Sequence, residues 1–254
     1  MLIAVAGGSG LVGRHVVAAL ARLGDDVVIL SRRHGIDLRT GDGLSDALAG
    51  VDALVDVTNV GATDRARAAT FFTAVTRQLQ EVGARCKVRH LVTLSIVGLE
   101  RVQDDGYYAA KLAQEHAALA GPIPATIVRA TQFHEFPAQM LARLRRGRFA
   151  LVPHLPIQPV AARAVGARLA EVVTNGPGTE RLELAGPEPG DLVVLARSFL
   201  RRRGAHIAVI PFPDLSPSRR AARKGGLLPG AEVEVIGPRF SAWLDSEDAR
   251  GLSL

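Results

Sequence analysis

The sequence predicts a doubly wound α/β fold, a mainly parallel sheet covered by helices on both faces, with a smaller C-terminal lobe. Three observations predict it. Short apolar runs alternate with amphipathic stretches through the first half of the chain. The first apolar run breaks into a glycine-rich turn, Gly7-Gly-Ser-Gly-Leu-Val-Gly13, that opens into a helical pattern. Past Arg129 the alternation loosens, and proline recurs at 137, 153, 156, 159, 177, 187 and 189.

The elements follow in order. Leu2 to Ala6 is apolar without interruption, as a strand buried on both faces must be. A helix from about Leu11 to Leu23 leads past Asp25 and Asp26 to a strand over Val27 to Leu30. Leu44 to Leu48 is helix-like, and Ala53 to Val57 reads as a third strand. Asp64 is placed to cap a helix from about Arg65 to Val82. Next come a strand over His90 to Leu94, a polar loop and a helix from about Tyr107 to Leu119. Gly121-Pro122 stops that helix, and Ala125 to Val128 makes a fifth strand. In the later part, helices are expected over about Ala161 to Val173 and Leu192 to Arg202. Strands are expected over Arg181 to Leu184 and His206 to Ile210. Residues 1–132 then form a dinucleotide-type core and residues 133–254 a substrate lobe partly returning to it, with a soft boundary. Because the first unit opens at residue 2, it is expected to belong to the mature protein.

At 254 residues and 48% hydrophobic, the chain can bury a substantial core. No apolar run approaches the ~18 residues that span a bilayer, and no basic-then-apolar leader opens the chain. The single cysteine, Cys86, rules out an intrachain disulfide and argues against a cysteine metal site. A reducing, cytoplasmic setting is expected. The formal charge of +6 is carried by arginine, since lysine occurs only at 87, 111 and 224. Basic clusters at Arg143 to Arg148, Arg201 to Arg203 and Arg219 to Lys224 lack interleaved aromatics. They read as solvated faces rather than a nucleic-acid surface. The seven histidines are scattered, with no ligand spacing, so no metal site is expected.

The glycine turn satisfies both G-x-G-x-x-G and G-x-x-G-x-x-G. Gly7 and Gly10 let the backbone approach a pyrophosphate, and Gly13 lets the helix pack closely on the strand. Leu11 and Val12 open a helix whose N–H groups and dipole favour an anion. A glycine turn without a ligand is the competing reading. The second strand ends Leu30-Ser31-Arg32-Arg33. A site for NAD usually carries Asp or Glu about 20 residues past the glycines, to bind a ribose hydroxyl. Two guanidiniums stand there instead, the groups best suited to a 2′-phosphate, so NADP(H) is the expected cofactor. Arginines that merely solvate a strand end are the alternative.

Tyr107-Tyr-Ala-Ala-Lys111 puts a phenol and an ammonium on one helix face. A lysine near a phenol lowers the phenol's pKa toward working pH, making it a proton donor or acceptor. The same lysine can bond the nicotinamide ribose. Tyr108 is offset by roughly 100° and packs or lines the pocket. Ser95 ends the fourth strand, where a hydroxyl can orient a substrate oxygen, although serine is also ordinary turn chemistry there.

Together these pieces resemble the short-chain dehydrogenase/reductase superfamily, and more narrowly its atypical, NmrA-like, NADP-binding branch. The resemblance rests on Gly7 to Gly13, Ser31 to Arg33, Leu94-Ser-Ile-Val-Gly98, Tyr107 to Glu115 and Arg129 to Phe136. It implies catalytic roles for Ser95, Tyr107 and Lys111. It implies that Asp37, with Leu38, meets the adenine. Asp56-Val-Thr58-Asn59 stands where the superfamily often carries an Asn-Ala-Gly type motif, and Thr131 and Phe133 would border the nicotinamide. The expected activity is NADPH-dependent reduction of a small carbonyl, quinone-like or conjugated substrate. A dinucleotide-binding redox sensor is one alternative. A cofactor-assisted tailoring enzyme (an epimerase, a dehydratase or a coupling enzyme for aromatic natural products) is another. Phe133, Phe136, Met140, Phe149, Phe212 and Trp243 would serve an apolar, aromatic ligand, or ordinary core. His134 is expected to cap a helix or bond a backbone carbonyl rather than move a proton.

Overall fold

A computed structural model describes residues 1–60, 65–213 and 216–253. Asp64, the expected cap, lies outside the described residues. A mainly parallel seven-stranded sheet carries helices on its faces, which is the Rossmann-type α/β arrangement the alternation predicts. Its strand order is β12-β9-β5-β4-β3-β1-β2. In this order β1 is Leu2–Ala6, β2 Asp26–Leu30, β3 Ala53–Asp56, β4 His90–Ile96, β5 Ala125–Ala130, β9 Arg181–Ala185 and β12 Glu234–Val235. The helices of the first half are α1 (Gly13–Leu23), α2 (Leu44–Ala47), α3 (Arg65–Arg85) and α4 (Gly106–Leu119). Those of the second half are α5 (Phe136–Leu144), α6 (Ala162–Thr174), α7 (Leu192–Arg202), α8 (Phe240–Trp243) and α9 (Glu247–Arg250). Among the described residues no helix is long and apolar enough to cross a membrane, and no cluster of metal-ligating side chains forms.

The chain divides into two compact units. The first comprises Met1–Ile96, Asp105–Arg129 and Arg163–Leu182; the second comprises Val97–Asp104, Ala130–Ala162 and Glu183–Leu254.

In the first unit β1 lies between β2 and β3, pairing Ala4 with Val28 on one side and Leu54 on the other. Ile3, Ala4, Val5 and Ala6 are all fully buried, which explains the unbroken apolar run. α1 turns Val16, Ala19 and Leu20 inward and ends at Gly24, whose left-handed φ of 84° lets its N–H close back on Ala21 and Leu20. α3 supplies Val75, Leu79 and Val82 to the same core as Leu54, Leu91 and Ile127. Two buried polar groupings tie elements of this unit together. Gln80 donates to the carbonyls of Ala118 (2.6 Å) and Ile123 (3.1 Å) and accepts from the Ile123 N–H (2.8 Å). It thereby closes the end of α4 onto the entrance of β5. Arg129 on β5 grips Glu115 of α4 with two parallel bonds of 2.8 and 2.6 Å. The two side chains are only 4% and 1% exposed.

The second unit holds a three-stranded sheet in the order β11-β7-β6, with β6 at Arg145–Arg146, β7 at Phe149–Pro153 and β11 at Ala208–Phe212. A small antiparallel pair joins β8 (Pro156–Ile157) to β10 (Gly190–Asp191). β11 begins two residues later than His206, because parallel pairing with β7 fixes Ala208 opposite Phe149. Its Pro211 is tolerated because β11 is an edge strand. Two members of the basic clusters are engaged within the unit. Arg202 pairs with Asp245, and Arg203 donates to the carbonyls of Arg250 (2.8 Å) and Leu252 (2.9 Å).

His134 is buried in this unit, bonded through Nε2 to the Pro238 carbonyl at 2.9 Å, in keeping with the expected backbone role. Phe240 and Trp243 flank its ring, each at 5.3 Å. Burial lowers its pKa to about 4, against a smaller opposing pull from the Pro238 carbonyl. The sign follows from proton counting. Between about pH 4 and the unfolded value of 6.5, the unfolded chain binds a proton that the folded chain refuses, so stability falls as pH falls through that window. Lowering the pH from 7 to 5 should therefore cost about 2 kcal/mol through this group. His134→Gln should show a smaller drop in urea midpoint over the same interval; an unchanged drop would assign the effect elsewhere, with His90, also lowered by burial, next in line.

Candidate functional site

The glycine turn is built so that nothing but glycine fits at its two ends. Gly7 has a φ of +81°, and a Cβ there would sit 2.9 Å from the Val57 carbonyl oxygen and 3.0 Å from the Thr58 nitrogen. At Gly13 a Cβ would lie 2.1 Å from the Gly7 carbonyl oxygen. Strand, turn and helix are thus in van der Waals contact through backbone alone. Gly10 donates to the Gly7 carbonyl at 2.9 Å, tightening the loop. Gly10 is exposed and Leu11 half-buried, while Val12, at the helix start, is buried. Val12 offers no side-chain cap to α1, so the leading N–H groups keep their anion-binding character. The cradle fits a dinucleotide pyrophosphate.

The end of β2 lies beside this turn, since a Cβ on Gly8 would meet Ile29 at 3.0 Å. Ser31 bonds His34 at 2.7 Å, and Arg32 and Arg33 form an exposed single turn of 3-10 helix. Asp37 is engaged locally, accepting from the Arg39 N–H at 2.9 Å, and Leu38 packs on the apolar core.

α4 starts from Asp105, whose side chain accepts the Tyr107 N–H at 3.0 Å. That cap sets the rotation of the helix and points Tyr107 at the turn after β3. The Tyr107 hydroxyl donates to Asn59 Oδ1 at 3.0 Å. Its ring meets Phe72 and Tyr108 edge-on at 6.0 and 5.6 Å. Lys111 is 5% exposed and donates through Nζ to the Leu94 carbonyl at 2.8 Å and to Gln114 Oε1. Its ammonium stands 4.8 Å above the Phe72 ring.

The structure corrects one electrostatic expectation. Burial pushes the Tyr107 phenol up to about 12, opposed by its hydrogen bond with Asn59, and Lys111 is not among the causes. The reason is the lysine's own engagement: its charge is turned toward Leu94 and Gln114. Burial lowers Lys111 to about 8, with Asp56 and then Glu115 pulling the other way. The pair therefore holds a phenol that keeps its proton and a lysine that loses its charge as pH rises past about 8.

Ser95 is the penultimate residue of β4, one short of the expected strand end, and is 3% exposed. Its Oγ has no hydrogen-bond partner among the described residues, a buried hydroxyl with its capacity unused. Thr58 is held to Asp56 through both its N–H (2.9 Å) and its hydroxyl (2.6 Å). Thr131 and Phe133 belong to the second unit. Thr131 donates to the Gln158 carbonyl at 2.6 Å, and Phe133 bridges to Val160.

Within the first unit, then, the structure brings together the glycine turn, Thr58, Asn59, Tyr107 and Lys111. Among the described residues, no hydrogen bond or ion pair ties Arg32, Arg33 or Ser95 to them. Two residues escaped the sequence reading, Asp56 as more than a motif position and Gln114 altogether. The two bond each other across 58 positions, a separation no local pattern reports.

A strand, a glycine cradle and an uncapped helix on a parallel sheet, with a Tyr-x-x-x-Lys helix behind, define a dinucleotide-binding protein of the short-chain dehydrogenase/reductase type. More particularly, the chain belongs to the NAD-dependent epimerase/dehydratase family, whose model matches residues 3–133. Solved structures agree in fold. A nucleoside-diphosphate-sugar epimerase from Staphylococcus aureus superposes with a TM-score of 0.74 at 15% identity, covering 97% of this chain and 100% of its own. A dTDP-4-dehydrorhamnose reductase from Clostridium acetobutylicum gives 0.70 at 15% identity over 84% of each chain. A short-chain dehydrogenase/reductase superfamily protein from Agrobacterium tumefaciens with bound NAD gives 0.63 at 19% identity, over 84% of this chain and 86% of its own. A search of curated proteins finds no match.

Proposed function

We propose that this protein is an NADPH-dependent reductase of a small carbonyl, quinone-like or conjugated compound, of the NmrA-like kind, working in the cytoplasm. The observation that carries the reading is the half-buried Tyr107 phenol, held in its protonated form, beside Lys111 and the 57–59 turn. Bound NADPH would supply hydride to the electrophilic carbon of the substrate. Tyr107 gives its proton to the oxygen that becomes negative as the bond forms. Lys111 holds the ribose and offsets the charge left on the phenolate. Ser95 donates its unused hydroxyl to the same substrate oxygen. Arg32 and Arg33, exposed past β2 with no carboxylate at that strand end, hold the 2′-phosphate.

A second reading is favoured by the family itself. Relatives named for nucleotide-sugar epimerisation and reduction point to a sugar-nucleotide substrate and, for epimerases, to no net cofactor consumption. Calorimetric titration with NADPH, NADP and NADH, run beside Arg32→Ala, tests the cofactor. The expected result is NADPH binding that weakens about tenfold or more in the variant, the loss of one charge-assisted phosphate contact. NADH binding should be unchanged. Equal affinity for NADH and NADPH in the parent protein would overturn the cofactor assignment. Turnover of a carbonyl with stoichiometric NADPH loss separates the reductase from the epimerase.

A further inference from the structure

Tyr107, Lys111 and Gln114 follow one another at four and three residues, so they share one face of α4. Behind Gln114 stands Asp56, the last residue of β3 and fully buried. Gln114, fully buried too, donates from Nε2 to Asp56 Oδ2 at 2.8 Å while its Oε1 accepts from the Lys111 ammonium. The other carboxylate oxygen takes both Thr58 bonds, and Thr76 adds a longer contact of 3.5 Å to Oδ2. Asn59, next to Thr58, accepts from the Tyr107 hydroxyl. One buried carboxylate therefore holds the surroundings of both members of the Tyr107–Lys111 pair.

We infer that Asp56 and Gln114 are positioning residues for that pair, with Gln114 transmitting the hold of the Asp56 carboxylate to the Lys111 ammonium. The chemistry requires an amide between them. Its NH2 end satisfies a carboxylate, and its carbonyl end satisfies an ammonium, at the same moment. Asp56 also supplies the larger of the two charges that keep Lys111 protonated against burial; the other, Glu115, is already committed to Arg129. The inference rests on the functional reading of Tyr107 and Lys111 for its meaning, but its test does not.

With lysine at only 87, 111 and 224, carbon-13 lysine labelling gives three resonances that can be titrated one by one. In the parent protein the Lys111 signal should titrate lowest of the three. Gln114→Leu and Asp56→Asn should lower its midpoint further, and Gln114→Glu, which brings a carboxylate onto the ammonium, should raise it. The opposite signs are the signature of a charge-relaying position. If Gln114→Leu fails to fold, the Asp56→Asn and Gln114→Glu arms still decide. A Lys111 midpoint that stays put in the folded variants, or moves the same way in Leu and Glu, overturns the inference. Should the midpoints move as expected while no carbonyl is reduced by the parent protein, the reductase reading alone falls.

Discussion

Tyr107→Phe should lower turnover by about a hundred- to ten-thousand-fold while leaving dinucleotide affinity unchanged, the range expected when a positioned proton donor is removed. The substitution deletes one oxygen and little else. The ring keeps its edge-on contacts with Phe72 and Tyr108, and Asn59 Oδ1 still accepts the Val60 N–H at 2.8 Å. The cofactor contacts proposed above, through the glycine turn, Arg32, Arg33 and Lys111, do not include the hydroxyl, which bonds Asn59. Because burial holds the phenol near 12, its proton is available throughout the working range. The high-pH limb of the rate should then follow Lys111, with turnover declining as pH rises past about 8 and its charge is lost. Steady-state rates for the variant and its parent, with titration of NADPH into both, check this. Full activity in Tyr107→Phe would remove the phenol from the chemistry.

Glu115→Ala should destabilise the fold by about 3–5 kcal/mol, the usual consequence of stranding one member of a buried ion pair. Arg129, 3% exposed, would lose both of its bonds to Glu115, and Arg181 would lose its contact with the same carboxylate at 3.9 Å. The pair ties α4 to β5, so the loss should also loosen the helix that carries Tyr107 and Lys111. A double replacement, Glu115→Leu with Arg129→Met, should recover most of the stability, since neither buried charge remains. Urea midpoints of the single and double variants measure both effects. A single-variant loss below about 1 kcal/mol would mean the pair behaves like an exposed one.

Much of the architecture was readable because it is local. The buried strand Leu2–Ala6, the glycine turn and the stop at Gly121-Pro122 each announce themselves within a few residues. The boundaries of α7 were read without error, because Asp191 caps it and its apolar spacing is regular. Other elements hide for identifiable reasons. α5 is nine residues long and carries Pro137 in its first turn, so it reads as loop. β7 exists because β6 and β11 pair with it, and β12 is two residues long. At the candidate site, Tyr107 and Lys111 were found by spacing, but spacing could not say which way the lysine points. That depends on the Leu94 carbonyl and on Gln114, and Gln114 depends in turn on a carboxylate at the end of β3.

The interleaving of the two units bears on how the molecule is assembled as it is synthesised. The chain passes from one unit to the other after residues 96, 104, 129, 162 and 182. α6 lies almost wholly in the first unit, where Gly166 comes so near α1 that a Cβ would stand 2.6 Å from that of His15. The nucleotide-type unit is therefore unfinished when the first 129 residues of the chain have left the ribosome, and it waits for Arg163–Leu182, which arrives only after the 130–162 stretch of the other unit. Contacts this distant in sequence slow folding and prolong the exposure of apolar surface. A polypeptide halted before residue 163 should be a client for chaperones rather than a free-standing domain.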